Sequence, residues 1–549
     1  MRRSDKKIFA RDGGLMSLRR RIMLLTCAGV LTIVFSSMGA AQQRARAFIL
    51  YVPPMENQGS RLHAWLGLAM ADHVRDMLST TDSIAVIGED ERLTALRQRA
   101  VDERAKDPDA ALVRAGRFLG ASAVLVGRYT VRGSAVFIDR RLIDCRTGST
   151  LTADSLAGTL PTISDLLERF ATSAFHSPGH GDGARTAPMT LTTADRASIA
   201  AYHRPPWTAF EHYARGRSLE AVKPDRAFTH FMKAIQKDGF YTEAYIQAAA
   251  LCYFKLDDPA QAFEYLRAAL VISEQQHAPA SMPSAGIAMR IGQLYAAQGD
   301  LENALKHYED SRQRYEKINR QASYPYIVLM GHIGEAHRLR NEYDRAIESL
   351  GRAKEIAEQL DLADSEPYAE LLARIGTLFY HRERYSRAED LFARSLAIRT
   401  INETEQTPAF VSLLNGLAGI YRQQNNPSKG LRYAEKGEAL CRDPRLARTV
   451  ECAALMSTTG ILYYLQQDYA KSVAAHEHGR RILDALALSD NARYAAALYH
   501  LGGSYIKTGD RSAAGRCFRT AHDIYRTLGM QEQAEILRPF SEYYGKGTE

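Results

Sequence analysis

One spacing constrains this chain more than any other property. Small residues recur at Ala250, Gly292, Gly334, Gly376, Ala418, Gly460 and Gly502, each 42 positions after the last. A second small series, Ala262, Ala304, Ala346, Ala388, Gly430, Ser472 and Ala514, keeps the same step of 42. Unrelated helices would not hold register over six intervals, so this is a repeat array. Three positions after the first small residue comes an aromatic: Tyr253, Tyr295, Phe379, Tyr421, Tyr463 or Tyr505, with His337 departing from the rule. The residue types follow from packing two antiparallel helices per unit. Where the helices cross, their backbones approach too closely for a large side chain, and the aromatic fills the space beside the crossing. A later large residue (Leu266, Tyr308, Leu350, Phe392, Phe518) packs on the next unit.

Stretches such as IGQLYAAQGDLENALKHYEDS, LAGIYRQQNNPSKGLRYAEKG and LGGSYIKTGDRSAAGRCFRTA share this layout. The array strongly resembles the tetratricopeptide repeat family. The step of 42 exceeds the usual repeat of roughly 34 by about two helical turns. Such long-helix arrays look like those of kinesin light chain and related peptide adaptors. A looser unit over 208–240 carries Tyr213, Gly216, Ala227, Phe231 and Ala234, which makes eight units, and a helix over 531–544 would cap the end. The resemblance implies binding on the concave face, built from first-helix residues pointing away from the second helix. Counted from the repeat frame, these are Gln293, Glu335, Arg338, Thr377, Tyr380, His381, Asn415, Arg422, Tyr464 and Lys507. Arg338, Arg422 and Lys507 take similar places in their units, which favours an acidic or carboxylate-bearing peptide; the alternative is a solvated charged face. The Lys/Asn clamp of chaperone-tail-binding repeats is not evident, because its expected Asn is Gln293, Glu335, Thr377 or Gly419 here.

The region 46–175 alternates differently. Short apolar runs over 47–51 and 84–87 read as strands, and 61–79, 91–104, 110–119 and 163–175 read as helices. A hairpin spans 121–144 with its turn at Arg132-Gly133. This mixture predicts a small α/β sandwich. Gly120-Ala121, the strand reaching Gly127, and Leu142-Ile143-Asp144 followed by Thr147-Gly148 resemble the TolB amino-terminal-like family, as does the start at Pro54 with Glu56-Asn57. That resemblance implies a non-enzymatic envelope domain that makes protein contacts. Asp144 reads as a turn former.

Residues 1–21 hold eight Lys/Arg and two Asp, a net of +6 out of the formal +8 of the chain. The remainder is close to neutral and leaves no footprint for nucleic acid. An uncharged apolar run over 22–35 and small residues up to Ala41 complete a secretory signal, so 1–41 is expected to direct export. An uncleaved anchor is the alternative, and membrane association would then come only through that segment; Cys27 follows a poor context for lipidation. Export implies an oxidising compartment. Five cysteines would remain: Cys145, Cys252, Cys441, Cys452 and Cys517. Cys441 and Cys452 flank a loop and could pair; the reading preferred is two separate small hydrophobes. The Gly- and Pro-rich 176–206 reads as a flexible linker, and His176 with His180 lacks the third ligand that zinc needs.

The fold expected is therefore α+β overall: a small α/β sandwich over 46–175, a linker over 176–206, and an all-α tetratricopeptide-repeat solenoid of about eight helix pairs over 207–545. No nucleophile elbow, zincin, phosphate-loop or paired CxxC spacing occurs. The expectation is a non-catalytic, exported periplasmic or envelope scaffold without cofactor or metal, binding a protein or extended peptide. A regulator that senses a ligand or peptide through the same groove is the alternative.

Overall fold

The structure, a computed structural model, describes residues 48–81, 83–88, 107–175, 189–402 and 404–545. The signal expected over 1–41, the helix expected over 91–104 and the His176/His180 pair lie outside those residues.

The amino-terminal module is one mixed sheet of order β3-β1-β4-β5-β6. Strand β1 (Phe48–Tyr51) lies parallel to both β3 (Ile84–Val86) and β4 (Ala123–Arg132). Two-residue β2 (Glu56–Asn57) pairs with β4. Strands β4, β5 (Ala135–Asp144) and β6 (Thr150–Thr159) form an antiparallel meander. Its first turn needs Gly133 at φ +62°. Asp144 makes the second turn: its Oδ1 accepts from the Thr147 N–H at 2.6 Å. Helices cover both faces of β4. Gly127 lies against Phe170 of α3 (Ile163–Ser173), while Val124 meets Gly116 of α2 (Pro108–Leu119). Helix α1 (Leu66–Ser79) packs beside α3. Strand β6 was not expected from the sequence. TLTADSLAGT is a polar edge strand, half exposed, without the apolar alternation that marks a buried one.

The expected linker is corrected in its second half. Residues 193–200 form helix α4 (Thr193–Ala200), closed by a capping box between Thr192 and Asp195. Asp195 is fully buried and also accepts from the Ser83 hydroxyl at 2.6 Å. Leu191, Ile199 and Tyr202 belong to a hydrophobic core that runs without a break from the sheet into the first helices of the array.

Sixteen helices then pair into eight units among the described residues. Unit 1 is α5 (Trp207–Leu219) with α6 (Pro224–Lys237); unit 2, α7 (Thr242–Phe254) with α8 (Pro259–Gln276). Unit 3 is α9 (Met282–Ala297) with α10 (Leu301–Lys317); unit 4, α11 (Tyr324–Leu339) with α12 (Tyr343–Gln359). Unit 5 is α13 (Glu366–His381) with α14 (Tyr385–Ile401); unit 6, α15 (Pro408–Gln423) with α16 (Pro427–Leu440). Unit 7 is α17 (Val450–Leu465) with α18 (Tyr469–Ala485); unit 8, α19 (Ala492–Thr508) with α20 (Arg511–Thr527). Helix α21 (Gln531–Gly545) closes the end.

The close crossings are where the small residues stand. A Cβ built on Gly292, Gly334, Gly376 or Gly502 would come within 3 Å of Tyr308, Leu350, Phe392 or Phe518 respectively. The turn inside units 2 to 8 keeps the same period. Asp257, Gly299, Asn341, Glu383, Asn425, Gln467 and Gly509 all have positive φ and stand 42 apart. That left-handed residue reverses the chain after the first helix. His337, the exception among the aromatics, bonds Glu342 across this turn, Nδ1 to Oε2 at 2.7 Å.

Two expectations for the array are corrected. In unit 2 the buried pair is Ala249 and Cys252, not Ala250 and Tyr253. The turn there holds one extra residue. The Asp258 N–H reaches back six positions to the Cys252 carbonyl, where its counterparts, such as Asp300 to Tyr295, span five. Cys441 and Cys452 form a disulfide instead of standing as separate hydrophobes, with Cα atoms 5.9 Å apart. Helix α16 ends early, at Leu440, and the bridge ties its end to the first turn of α17.

Candidate functional site

First helices of successive units touch at the junctions of units 3 and 4, 5 and 6, 6 and 7, and 7 and 8, forming the inner layer of the array. Part of that layer is already occupied by the module. Helix α1 packs on α5, and Asp72 of α1 accepts from Arg217 Nε of α5 at 2.6 Å with both side chains buried. The Tyr213 hydroxyl donates to the same carboxylate at 3.2 Å, and Arg75 pairs with it from within α1. Burial works against the charge on Asp72, but Arg217 and Arg75 outweigh it and hold the carboxyl below its ordinary range. One turn on, Asp76 faces Glu243 of α7 and Arg290 of α9; burial first, then the two neighbouring carboxylates, pushes it up to about 8. The module reaches further along the array through its loops. Arg320, just before unit 4, donates to the Thr81 carbonyl. Gly120, at φ +80°, sits so close to the start of unit 5 that a Cβ there would be 2.9 Å from Ser365 Cβ. Helix α1 thus sits on the first helix of unit 1, with charged residues of units 2 and 3 near its Asp76, and other parts of the module touch the first helices of units 4 and 5.

The residues singled out from the sequence divide accordingly. Gln293 Nε2 pairs with the His332 ring nitrogen at 2.8 Å, across units 3 and 4. Glu335 and Arg338 neutralise each other through two hydrogen bonds, at 2.9 and 2.6 Å. Burial opposes the Glu335 charge and Arg338 restores it, leaving its carboxyl below the ordinary range. Thr377 turns its hydroxyl back to the Ala373 carbonyl of its own helix at 2.9 Å. His381 is exposed at the end of α13, where it stacks on Tyr343 at 5.9 Å, on the turn side of the array. Tyr464 lies edge-on to Tyr469, centroids 5.3 Å apart. Lys507 is exposed in the last turn of α19 and stands one residue out of step with Arg338 and Arg422, whose 42-residue register falls on Ile506.

Two of these residues meet across a unit boundary: Tyr380 of unit 5 and Arg422 of unit 6. The guanidinium donates to the Tyr380 hydroxyl at 3.4 Å, and no carboxylate pairs with it among the described residues. Its charge extends to His500 of unit 8, which burial first and Arg422 second hold down to about 4. Asn415 lies seven residues before Arg422, on the same face of α15, and its Oδ1 is buried without a hydrogen-bond partner.

The sequence reading missed a row that lies five positions before the repeat aromatic: Arg290, His332, Arg374 and His500, each on the same step of 42 or a multiple of it. His332 stacks on Tyr308 and His500 on His476, in the preceding unit's second helix, at 5.8 and 5.9 Å. Arg374 extends back to Gly331 of the preceding first helix, 3.5 Å from where a Cβ would be. Polar residues repeating at the helix–helix period were the available signal; they were passed over because the frame was built on the small and aromatic positions.

With this geometry in hand, comparison with known proteins locates the array. No curated protein matches. Among solved structures, a tetratricopeptide repeat protein from Parabacteroides merdae is 17% identical over 54% of this chain and 98% of its own, with a TM-score of 0.39. The apo quorum sensor NprR from B. thuringiensis is 13% identical over 57% and 83%, TM-score 0.41. The STAND protein PH0952 from Pyrococcus horikoshii, with its tetratricopeptide repeat sensor, is 14% identical over 63% and 57%, TM-score 0.44. Residues 242–318 and 326–401 match the tetratricopeptide repeat family. The carboxy-terminal region of this chain is built of tetratricopeptide repeats.

Proposed function

We propose that this protein is an exported, non-catalytic scaffold whose repeat array holds a protein or extended peptide segment in its groove. The observation that carries the reading is the division of the inner layer. The module lies against the first helices of units 1, 4 and 5, whereas in unit 6 no carboxylate pairs with the half-exposed Arg422 among the described residues. A guanidinium without a carboxylate on that layer can take one from a partner chain. The amino-terminal sheet is read as a TolB amino-terminal-like module that docks an envelope component. Export is supported by the basic and apolar head of the sequence and by the Cys441–Cys452 bridge, which suits an oxidising compartment.

Affinity capture from envelope extract with the full chain is the test. Retention of one protein in stoichiometric amount supports the scaffold. Thermal stabilisation by a small molecule, with no protein retained, would favour the ligand-sensing regulator instead. Amino-terminal sequencing of the mature protein tests export: a chain beginning at Gln42 is expected, and one that retains 1–41 in the soluble cytosolic fraction contradicts it.

A further inference from the structure

The amino-terminal sheet has two edges, and the molecule treats them differently. The β3 edge lies against α11, and the Thr81 carbonyl close to it accepts from Arg320. Strand β6 forms the other edge. The Leu160 N–H donates to the Ser134 carbonyl at 2.8 Å, which fixes the phase of the β5–β6 ladder. Asp154, Leu156 and Gly158 therefore turn their backbone groups toward β5, and Ala153, Ser155 and Ala157 turn theirs outward. Arg169 of α3 donates to the Ala157 carbonyl. The N–H and C=O of Ala153 and Ser155 and the N–H of Ala157 have no partner among the described residues. Proteins commonly blunt such an edge with lysine, proline, a bulge or a covering element. Residues 153–157 contain no lysine or proline, and the irregularity of the ladder lies outside them, at Leu142/Ile143. Asp154, the charged residue of that stretch, is neutralised by Arg140 at 2.6 Å.

We propose that β6 pairs edge to edge with β6 of a second copy of this chain, antiparallel about a two-fold axis at Ser155. The proposal goes beyond the groove reading and does not depend on it. The row of outward groups is its own complement. The two-fold axis sets Ser155 against Ser155 of the second copy and Ala153 against Ala157 of the second copy, so every unpaired N–H and C=O meets an opposite group. The Ala157 carbonyl keeps a second lone pair beside the bond from Arg169. The side chains agree with this pairing. Gly158 lies against Leu166 of α3 and Thr152 bonds the Ala174 carbonyl, so the even-numbered side chains face the helix. Ala153, Ser155 and Ala157 are exposed on the other face and small enough to leave the approach open. On the helix side, Asp154 falls opposite Leu156 of the second copy, so like charges do not meet.

Sedimentation velocity of the full chain over a micromolar concentration series is the test, with variants of the row. The unaltered chain is expected to pass from monomer to dimer. Ser155→Pro removes the central outward N–H and leaves the β5 ladder intact, because an edge strand tolerates proline where its N–H faces away from the sheet. It should raise the dimer dissociation constant roughly tenfold or more. Ser155→Ala loses only the hydroxyl bond to Asp139 and should dimerise as the unaltered chain does. Ser155→Cys sets two sulfurs opposite each other at a Cα spacing of about 5.5 Å, within the span of a disulfide. It should cross-link on mild oxidation, read by mass spectrometry of the linked peptide. Ala153→Cys leaves its two sulfurs about four residues apart along the strands, roughly 13 Å, and should not link. Circular dichroism checks folding; where Ser155→Pro fails to fold, the two cysteine variants carry the test. A chain that stays monomeric at every concentration overturns the proposal and leaves the edge to a strand of another protein. An unchanged dimer in Ser155→Pro places the contact elsewhere, and a link in Ala153→Cys without one in Ser155→Cys breaks the register; either result overturns it.

Discussion

Glycine acts in two opposite ways in these helices, and its surroundings decide which. At Gly376 a Cβ would stand 2.8 Å from the Phe392 ring, so nothing larger fits the crossing. Gly376→Leu is expected to cost about 1–3 kcal/mol or more through overpacking. Gly351, in the middle of α12, has no atom within 4 Å of the same construction. There the helix bears only the entropic cost of glycine, and Gly351→Ala should stabilise it by about 0.5–1 kcal/mol. Urea denaturation of the two variants checks both signs; similar effects would contradict the register. The same steric demand made the repeat legible in the sequence, because close crossings admit Gly, Ala or Ser and nothing else. It failed at Ala249 and Cys252, where one extra turn residue shifts α7 and a neighbouring Ala and Tyr offered themselves in frame.

At the scale of elements, the junction of units 6 and 7 departs from its neighbours. Other units end the second helix about three residues later in the 42-residue frame and turn through a left-handed residue such as Asn319, Asp361 or Ala487. Here the shortened α16 relies on the Cys441–Cys452 bridge, which closes a loop of sequence separation 11. Replacing both cysteines by alanine should cost about 2–3 kcal/mol. In a stack stabilised mainly by nearest neighbours, the loss should loosen units 6 to 8 before the rest. Hydrogen exchange would show it as faster exchange in α17 to α20, and uniform exchange along the array would contradict it. The bridge was hard to read from the sequence because two cysteines that suit a core as small hydrophobes also suit a bond, and only the early end of α16 brings them together. Helix α4 was hidden by its Gly- and Pro-rich approach, although Thr192 and Asp195 carry the spacing of a capping box.

At the scale of the molecule, the module and the first units share one core and one buried ion network. No local pattern announced this contact, since Asp72 and Arg217 lie far apart in the chain and each reads alone as a solvated charge on a helix. Arg217→Ala should leave Asp72 buried without its charged partner from the array and cost about 3–5 kcal/mol. Differential scanning calorimetry would register a lower transition for the module with units 1 and 2. The network also sets a pH window. Asp76, raised to about 8 by burial and its neighbouring carboxylates, is protonated in the folded state at neutral pH. Its contribution is complete below the ordinary carboxyl range and is lost as pH rises through about 8. Asp72 is depressed, so its contribution is present above the ordinary range and is lost on acidification. Stability of this half should therefore fall on acidification and also as pH rises from the ordinary carboxyl range to about 8, and Asp76→Asn should lessen the second decline, which Glu243, also raised by burial, shares.

The central claim is that partners lie along the inner layer of the later units and not on the outer helices. Site-specific photo-crosslinking tests it most directly, with p-benzoylphenylalanine placed in the full chain at Tyr464 on the inner α17 or at Arg481 on the outer α18. The account expects adducts with a partner polypeptide from Tyr464 and none from Arg481; adducts from Arg481 alone would contradict it.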